Sequence, residues 1–240
     1  VILVFYILRR QYILAVVLVV TIILFLVPWT VRNYKIYHQF IPTTLIGDYN
    51  LWVGNTLNSD GGQLSGGYNP FDNYIKQHDY FSVHQAATQS FQNFLVQHPG
   101  SFVNLTAVRF IRYCSLLRPM GFWFYQTGIG QIIFIVFSAM AIAILFIFGI
   151  AGAVKLWTVD LISRYLIILA ATSIFPLLIT VVQSRYRFPV YPFLAIFAGY
   201  LLAYAIKNRG WWKEKVFLLP TIFLFLISLV DLSFSLGKII

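Results

Sequence analysis

The sequence is short of acid, of cysteine and of charge altogether. Only 10% of its 240 residues are charged, and 7 are acidic against 17 basic. Soluble domains carry about a quarter charged residues, so a soluble globular protein is a poor fit. The single cysteine, Cys114, excludes an intrachain disulfide and leaves the redox compartment open. The four histidines are His38, His78, His84 and His98. They are scattered, and on a helix His78 and His84 would lie about 240° apart, so no metal site is expected. Paired carboxylates, a glycine-rich phosphate loop and a Ser-His-Asp pattern are missing too, and no cofactor is implied.

What is abundant is apolar residue, 60% of the chain, in recurring runs of membrane length. This reads as an all-α polytopic membrane protein. Three regions follow. Residues 1–28 hold the tail of a span, cut off at Val1, and a first full span over 12–28. Residues 29–128 contain no segment able to cross a bilayer. Residues 129–240 hold four spans, near 129–151, 165–183, 188–206 and 216–236, with Pro176 kinking the second just after Thr172 and Ser173. The early break at Arg9-Arg10 and the missing first half of a span make the chain look like the C-terminal part of a larger protein.

Basic residues set the orientation. Arg9, Arg10, Lys155, Arg164, Lys207, Arg209, Lys213 and Lys215 share one side, eight in all. The short segments opposite hold Arg185, Arg187 and Lys238, and the count becomes eight against six if Arg32, Lys35 and Arg118 are added. The positive-inside rule places residues 29–128 outside the cytoplasm of a multi-pass plasma (inner) membrane protein. The basic excess suits membrane lipid phosphate as a partner, not nucleic acid.

Within the external region the span is expected to stop at Pro28, with short extended pieces over 36–57 and a glycine-rich loop including Ser65-Gly66-Gly67. Two amphipathic helices follow. In residues 79–97, Phe81, His84, Thr88, Phe91 and Leu95 share a face. After Pro99-Gly100, Ser101 is the expected N-cap of a helix ending at Arg118-Pro119. Its apolar stripe is Val103, Ala107, Phe110, Cys114 and Leu117, with Arg109 and Arg112 opposite. That helix either lies along the interface or packs inside a compact external layer.

The chemistry concentrates at span ends. Arg185-Tyr186-Arg187-Phe188-Pro189 reads as a tight external turn, with Pro189 opening the next helix. A helix N-terminus beside two guanidinium groups suits a phosphate, although arginines there also serve as plain head-group anchors. Arg32 and Lys35 stand at the same level, with the same two readings. Asn50, Trp52 and Asn55 combine an aromatic plane with amide groups, as a sugar-handling surface does. Asp231 reads as an interface residue of the last span.

Four blocks then occur in order: Pro28-Trp29-Thr30-Val31-Arg32-Asn33-Tyr34, Asn50-Leu51-Trp52-Val53-Gly54-Asn55, His98-Pro99, and Arg185-Tyr186-Arg187-Phe188-Pro189 with Pro192. Over roughly residues 10–205 the pattern resembles the C-terminal half of bacterial membrane glycosyltransferases of the protein O-mannosyltransferase and aminoarabinose transferase clan. The resemblance implies a C-type glycosyltransferase-like helical bundle with a large, mainly helical extracytoplasmic loop. It also implies a polyprenyl-phosphate sugar donor and a lipid, glycan or protein acceptor. The family's catalytic aspartate lies in an external loop with no counterpart here, so no catalytic residue is carried over. Where relatives often have an acidic residue or histidine before the arginine turn, this chain has Gln183-Ser184. The expected phosphate ligands are Arg32, Arg185 and Arg187, and the expected substrate contacts are Asn50, Trp52, Asn55 and Tyr186. A transporter or flippase, or a polymerase or ligase, for lipid-linked saccharides would use the same features.

Overall fold

The computed structural model describes residues 1–43, 46–62, 72–116 and 128–236, and every regular element among them is helical. The elements are α1 Ile2–Leu8, α2 Tyr12–Tyr37, α3 Ile46–Gly54, α4 Asp72–Gln77, α5 Tyr80–Gln97, α6 Pro99–Cys114, α7 Ile129–Leu156, α8 Leu161–Thr172, α9 Phe175–Ile179, α10 Tyr191–Lys207 and α11 Lys215–Leu236. Two 3₁₀ helices, Ser184–Val190 and Trp211–Lys213, lead into α10 and α11. Among the described residues, five helices are long and apolar enough to cross a membrane: α2, α7, α8 continued by α9, α10 with its 3₁₀ lead-in, and α11. Their outward faces stay apolar, the pattern of a chain whose solvent is lipid. The glycine loop at 65–67, Leu117, Arg118-Pro119 and Lys238 lie outside the described residues.

Several local expectations are corrected. The first span does not stop at Pro28, because α2 runs through it and ends only at His38, whose φ of 53° is left-handed. Proline forfeits one backbone bond, a loss a longer membrane helix tolerates. Among the described residues of 36–57 no strand forms, and 46–54 are helical. Asn33 donates to the Ile41 carbonyl at 3.0 Å and Trp29 to that of Thr43, folding the chain back along α2 before α3 begins. Helix α6 starts at Pro99 directly after His98, so Ser101 lies inside it and is not its cap. Pro189 lies within the 3₁₀ helix, and α10 opens two residues later with Pro192 in its first turn. The break at Pro176 occurs as expected. Thr172 and Ser173 turn their hydroxyls back to the Leu169 and Ala170 carbonyls, each at 2.7 Å, as α8 gives way to α9.

Helices α7 and α10 pack closest, since Gly152 lets the Phe197 backbone approach where any Cβ would overlap the carbonyl oxygen. The main core gathers Phe146 of α7, Ala170 of α8, Leu194 and Phe197 of α10, Leu224 of α11 and Tyr113 of α6. Ser228 of α11 accepts the Leu116 N–H at 2.9 Å, fastening the end of α6 to the bundle. A smaller cluster of Trp52, Val83 and Ala87 joins α3 to α5. The inward face of α5 is therefore Val83, Ala87 and Phe94, and Phe81 is exposed, against expectation. Asp231, expected at the interface, is buried in α11.

Candidate functional site

Helix α6 organises the junction between the layer formed by α3, α4 and α5 and the bundle of long apolar helices, and it does so with its arginines inward. Arg109 and Arg112 are buried with Leu105, Tyr113 and Cys114, while Val103 is 67% exposed and Phe110 also faces out. Of the expected apolar stripe, Val103, Ala107 and Phe110 are exposed and Cys114 is buried, so it is the arginine side that meets the protein. An arginine can be buried when its donors meet a matched set of acceptors, and helix C-termini supply unpaired carbonyls carrying partial negative charge. Arg109 donates to Leu178 O at 2.8 Å and Ile179 O at 3.2 Å, at the end of α9. It also donates to Gly54 O at the end of α3 and to Asn55 Oδ1 at 3.1 Å. Burial pushes Arg109 down to about 10, so it keeps its charge at neutral pH. Gly54 is required here, because a Cβ would overlap the Thr180 carbonyl oxygen.

One turn on, Arg112 forks onto Asp60, with Nη1 to Oδ1 at 3.2 Å and Nη2 to Oδ2 at 3.3 Å. Asp60 accepts the Gly62 N–H at 2.9 Å, and Gly61 O accepts the Val182 N–H at 3.1 Å. The loop after α3 is therefore tied to the segment leading into the 3₁₀ helix. Arg187 completes the set from the opposite side. It donates to Ser115 O at 2.8 Å and to Arg112 O, capping the C-terminus of α6, and lies 5.6 Å from the Phe146 ring centroid.

These contacts redistribute the residues expected from sequence. Arg187 is wholly buried and spends donors on α6, so it is a structural clamp and not an open phosphate ligand. Asn55 is buried, donating to Leu51 O at 2.8 Å and Ile179 O at 2.9 Å. Trp52 is buried edge-on against Tyr74 at 5.4 Å, leaving no open plane for a sugar. Asn50 is half-buried on the same helix. Arg185 and Tyr186 are half-buried on the 3₁₀ helix, with the guanidinium 5.3 Å from the Tyr186 ring centroid. Arg32 is exposed, and among the described residues its partners are Trp29 and Asn33 of its own helix.

A feature absent from the sequence reading lies beneath this junction. An almost wholly apolar groove of about 600 Å³ runs between α7, α8 and α10 and is roofed by α6. It runs from Phe146 of α7 to Trp157, the residue that caps that helix, about 16 Å along the axis. Ala170, Leu194 and Phe197 form its walls, and Tyr113 and Cys114 its roof. Its Phe146 end abuts Arg187, and Val190, one turn further, also lines it. Burial raises the Tyr113 phenol above its ordinary value and pushes the Cys114 thiol up to about 11. Cys114 and Phe110 of the expected stripe line this groove, while Tyr113 falls in the i, i+4, i+7, i+8 series Leu105, Arg109, Arg112, Tyr113. That series competed with the more apolar stripe one face away.

Comparison with protein-family models, with curated proteins and with solved structures matches nothing to this chain.

Proposed function

We propose that the chain is part of a membrane glycosyltransferase that takes its sugar from a polyprenyl-phosphate-linked donor at the end of the bundle where Arg185 lies. The observation that carries this reading is the apolar groove ending against the basic 3₁₀ helix. Its volume falls within the range of about 300–1,000 Å³ typical of ligand pockets. Its lining suits an isoprenoid chain and offers little to a polar ligand. Arg185 and Tyr186, both half-buried, then stand where the donor head emerges, and Arg32, exposed on α2, supplies a further cation on the external side. Sugar transfer leaves negative charge on the departing phosphate, and a fixed guanidinium at a low-dielectric boundary stabilises that charge as it develops. Arg187 acts through position, by holding the end of α6 over the groove.

The test is sugar transfer from a radiolabelled polyprenyl-phosphate donor in membranes carrying the intact gene product. Arg185→Ala should lower transfer about 100-fold at unchanged protein level, the cost of removing one preorganised donor. Ala170→Trp, which fills the groove, should weaken donor binding. Full transfer in both variants would overturn the proposal.

A carrier for lipid-linked saccharides is the second reading, favoured by the break between α8 and α9, since broken helices recur in transporters. Movement of a labelled lipid-linked saccharide across proteoliposomes, without transfer product, would select it.

A further inference from the structure

A second groove lies on the far side of α7. It is about 400 Å³ in volume and nearly all apolar, formed by Ile150 and Val154 of α7 and Val216, Leu219 and Phe223 of α11, with Lys215 at its mouth. Ile150 and Val154 also line the first groove, so this part of α7 is the ridge between the two. The second groove opens at the other end of the bundle. The basic 3₁₀ helix precedes α10 and the 207–215 linker follows it, about 25 Å further along the 17-residue helix.

That linker has the features of a head-group layer. Trp212 is exposed, and the Lys213 Nζ lies 4.8 Å from its ring centroid. Exposed tryptophan beside lysine marks head-group depth at a membrane surface. Lys207, Arg209, Lys213 and Lys215 fall within nine residues, and the one acid among them, Glu214, is held by Lys155 at 2.6 Å and by the Tyr204 hydroxyl at 2.7 Å. The carboxylate that would oppose an anion is thus engaged elsewhere, while Lys215 stands over the apolar floor.

We infer that the α7–α11 groove is a binding site for an anionic phospholipid of the leaflet at the basic end. One acyl chain lies along Leu219 and Phe223, and the phosphate is held by Lys215 and Lys213. The inference does not rest on the transfer reaction. An apolar floor with charge only at the rim suits a lipid and not a soluble anion.

The test is native mass spectrometry of the detergent-solubilised protein with phosphatidylglycerol or phosphatidylcholine of matched chains. Phosphatidylglycerol should be retained preferentially, and Lys215→Gln should weaken it about fivefold, the worth of one lysine at a membrane surface. Leu219→Trp, filling the groove, should abolish that preference. Lys207→Gln, whose side chain does not line the groove, should leave retention within about twofold of the parent. Equal loss in Lys207→Gln and Lys215→Gln would reduce both to non-specific anchors and overturn the inference. So would equal retention of the two lipids, an unaltered preference in Leu219→Trp, or full competition by glycerol phosphate, which would mark a head-group site without the groove.

Discussion

Replacing Arg109 by methionine tests whether α6 holds the α3–α5 layer on the bundle. The change keeps much of the side-chain volume and removes the fork. Four acceptors are affected, though unequally. Leu178 O keeps the Thr106 hydroxyl at 3.4 Å, and Ile179 O keeps the Asn55 amide at 2.9 Å. Gly54 O and Asn55 Oδ1 lose the arginine donor. An orphaned buried acceptor costs about 1–3 kcal/mol, so two cost ~2–6 kcal/mol. Relief from burying a guanidinium offsets part of this, leaving a loss of about 3 kcal/mol. Unfolding in mixed micelles titrated with dodecyl sulfate, followed by circular dichroism, measures it. Arg109→Lys should fall between parent and methionine, since an ammonium cannot reach both helix ends as a fork does. Hydrogen exchange adds the location: amides in 54–62 and 176–183 should exchange faster, while α7 and α10 hold their protection. A loss below about 0.5 kcal/mol, the range of surface substitutions, would refute the clamp.

Gly152→Ala forces α7 and α10 apart and should cost about 1–3 kcal/mol in the same titration. Gly199→Ala, where nothing lies within 4 Å of the new Cβ, should instead stabilise by about 0.5–1 kcal/mol through helix propensity. Cys114 should alkylate slowly. Burial favours its neutral thiol, so labelling should keep rising with pH to about 11 instead of levelling near the ordinary value of 9. Any stability owed to the neutral thiol is complete below 9 and lost as pH rises through 11. A plateau near 9 would show the groove roof open to water.

The five crossing helices were legible in the amino-acid pattern because spanning a bilayer is a local demand of length and apolarity, met within one segment. The break at Pro176 was legible for the same reason: a missing N–H acts on its own helix. What failed was anything requiring a partner. Pro28 looks like a stop until Asn33 and Trp29 are seen folding the next segment back onto α2.

The arginines show the same division more sharply. In a linear reading Arg109 and Arg112 fall on the polar side of an amphipathic helix, and Arg185 and Arg187 in a turn at span ends. Tertiary contacts separate them, since Arg109 and Arg187 meet the bare carbonyls of α3, α9 and α6, Arg112 meets Asp60, and Arg185 lies half-buried beside Tyr186. Trp52 and Asn55 were drawn inward likewise, by α5 and by α9. Composition marked a helical membrane protein and which segments are long and apolar enough to cross. Which charges face a ligand and which hold the frame was decided by packing, because a buried guanidinium needs acceptors distant in the chain.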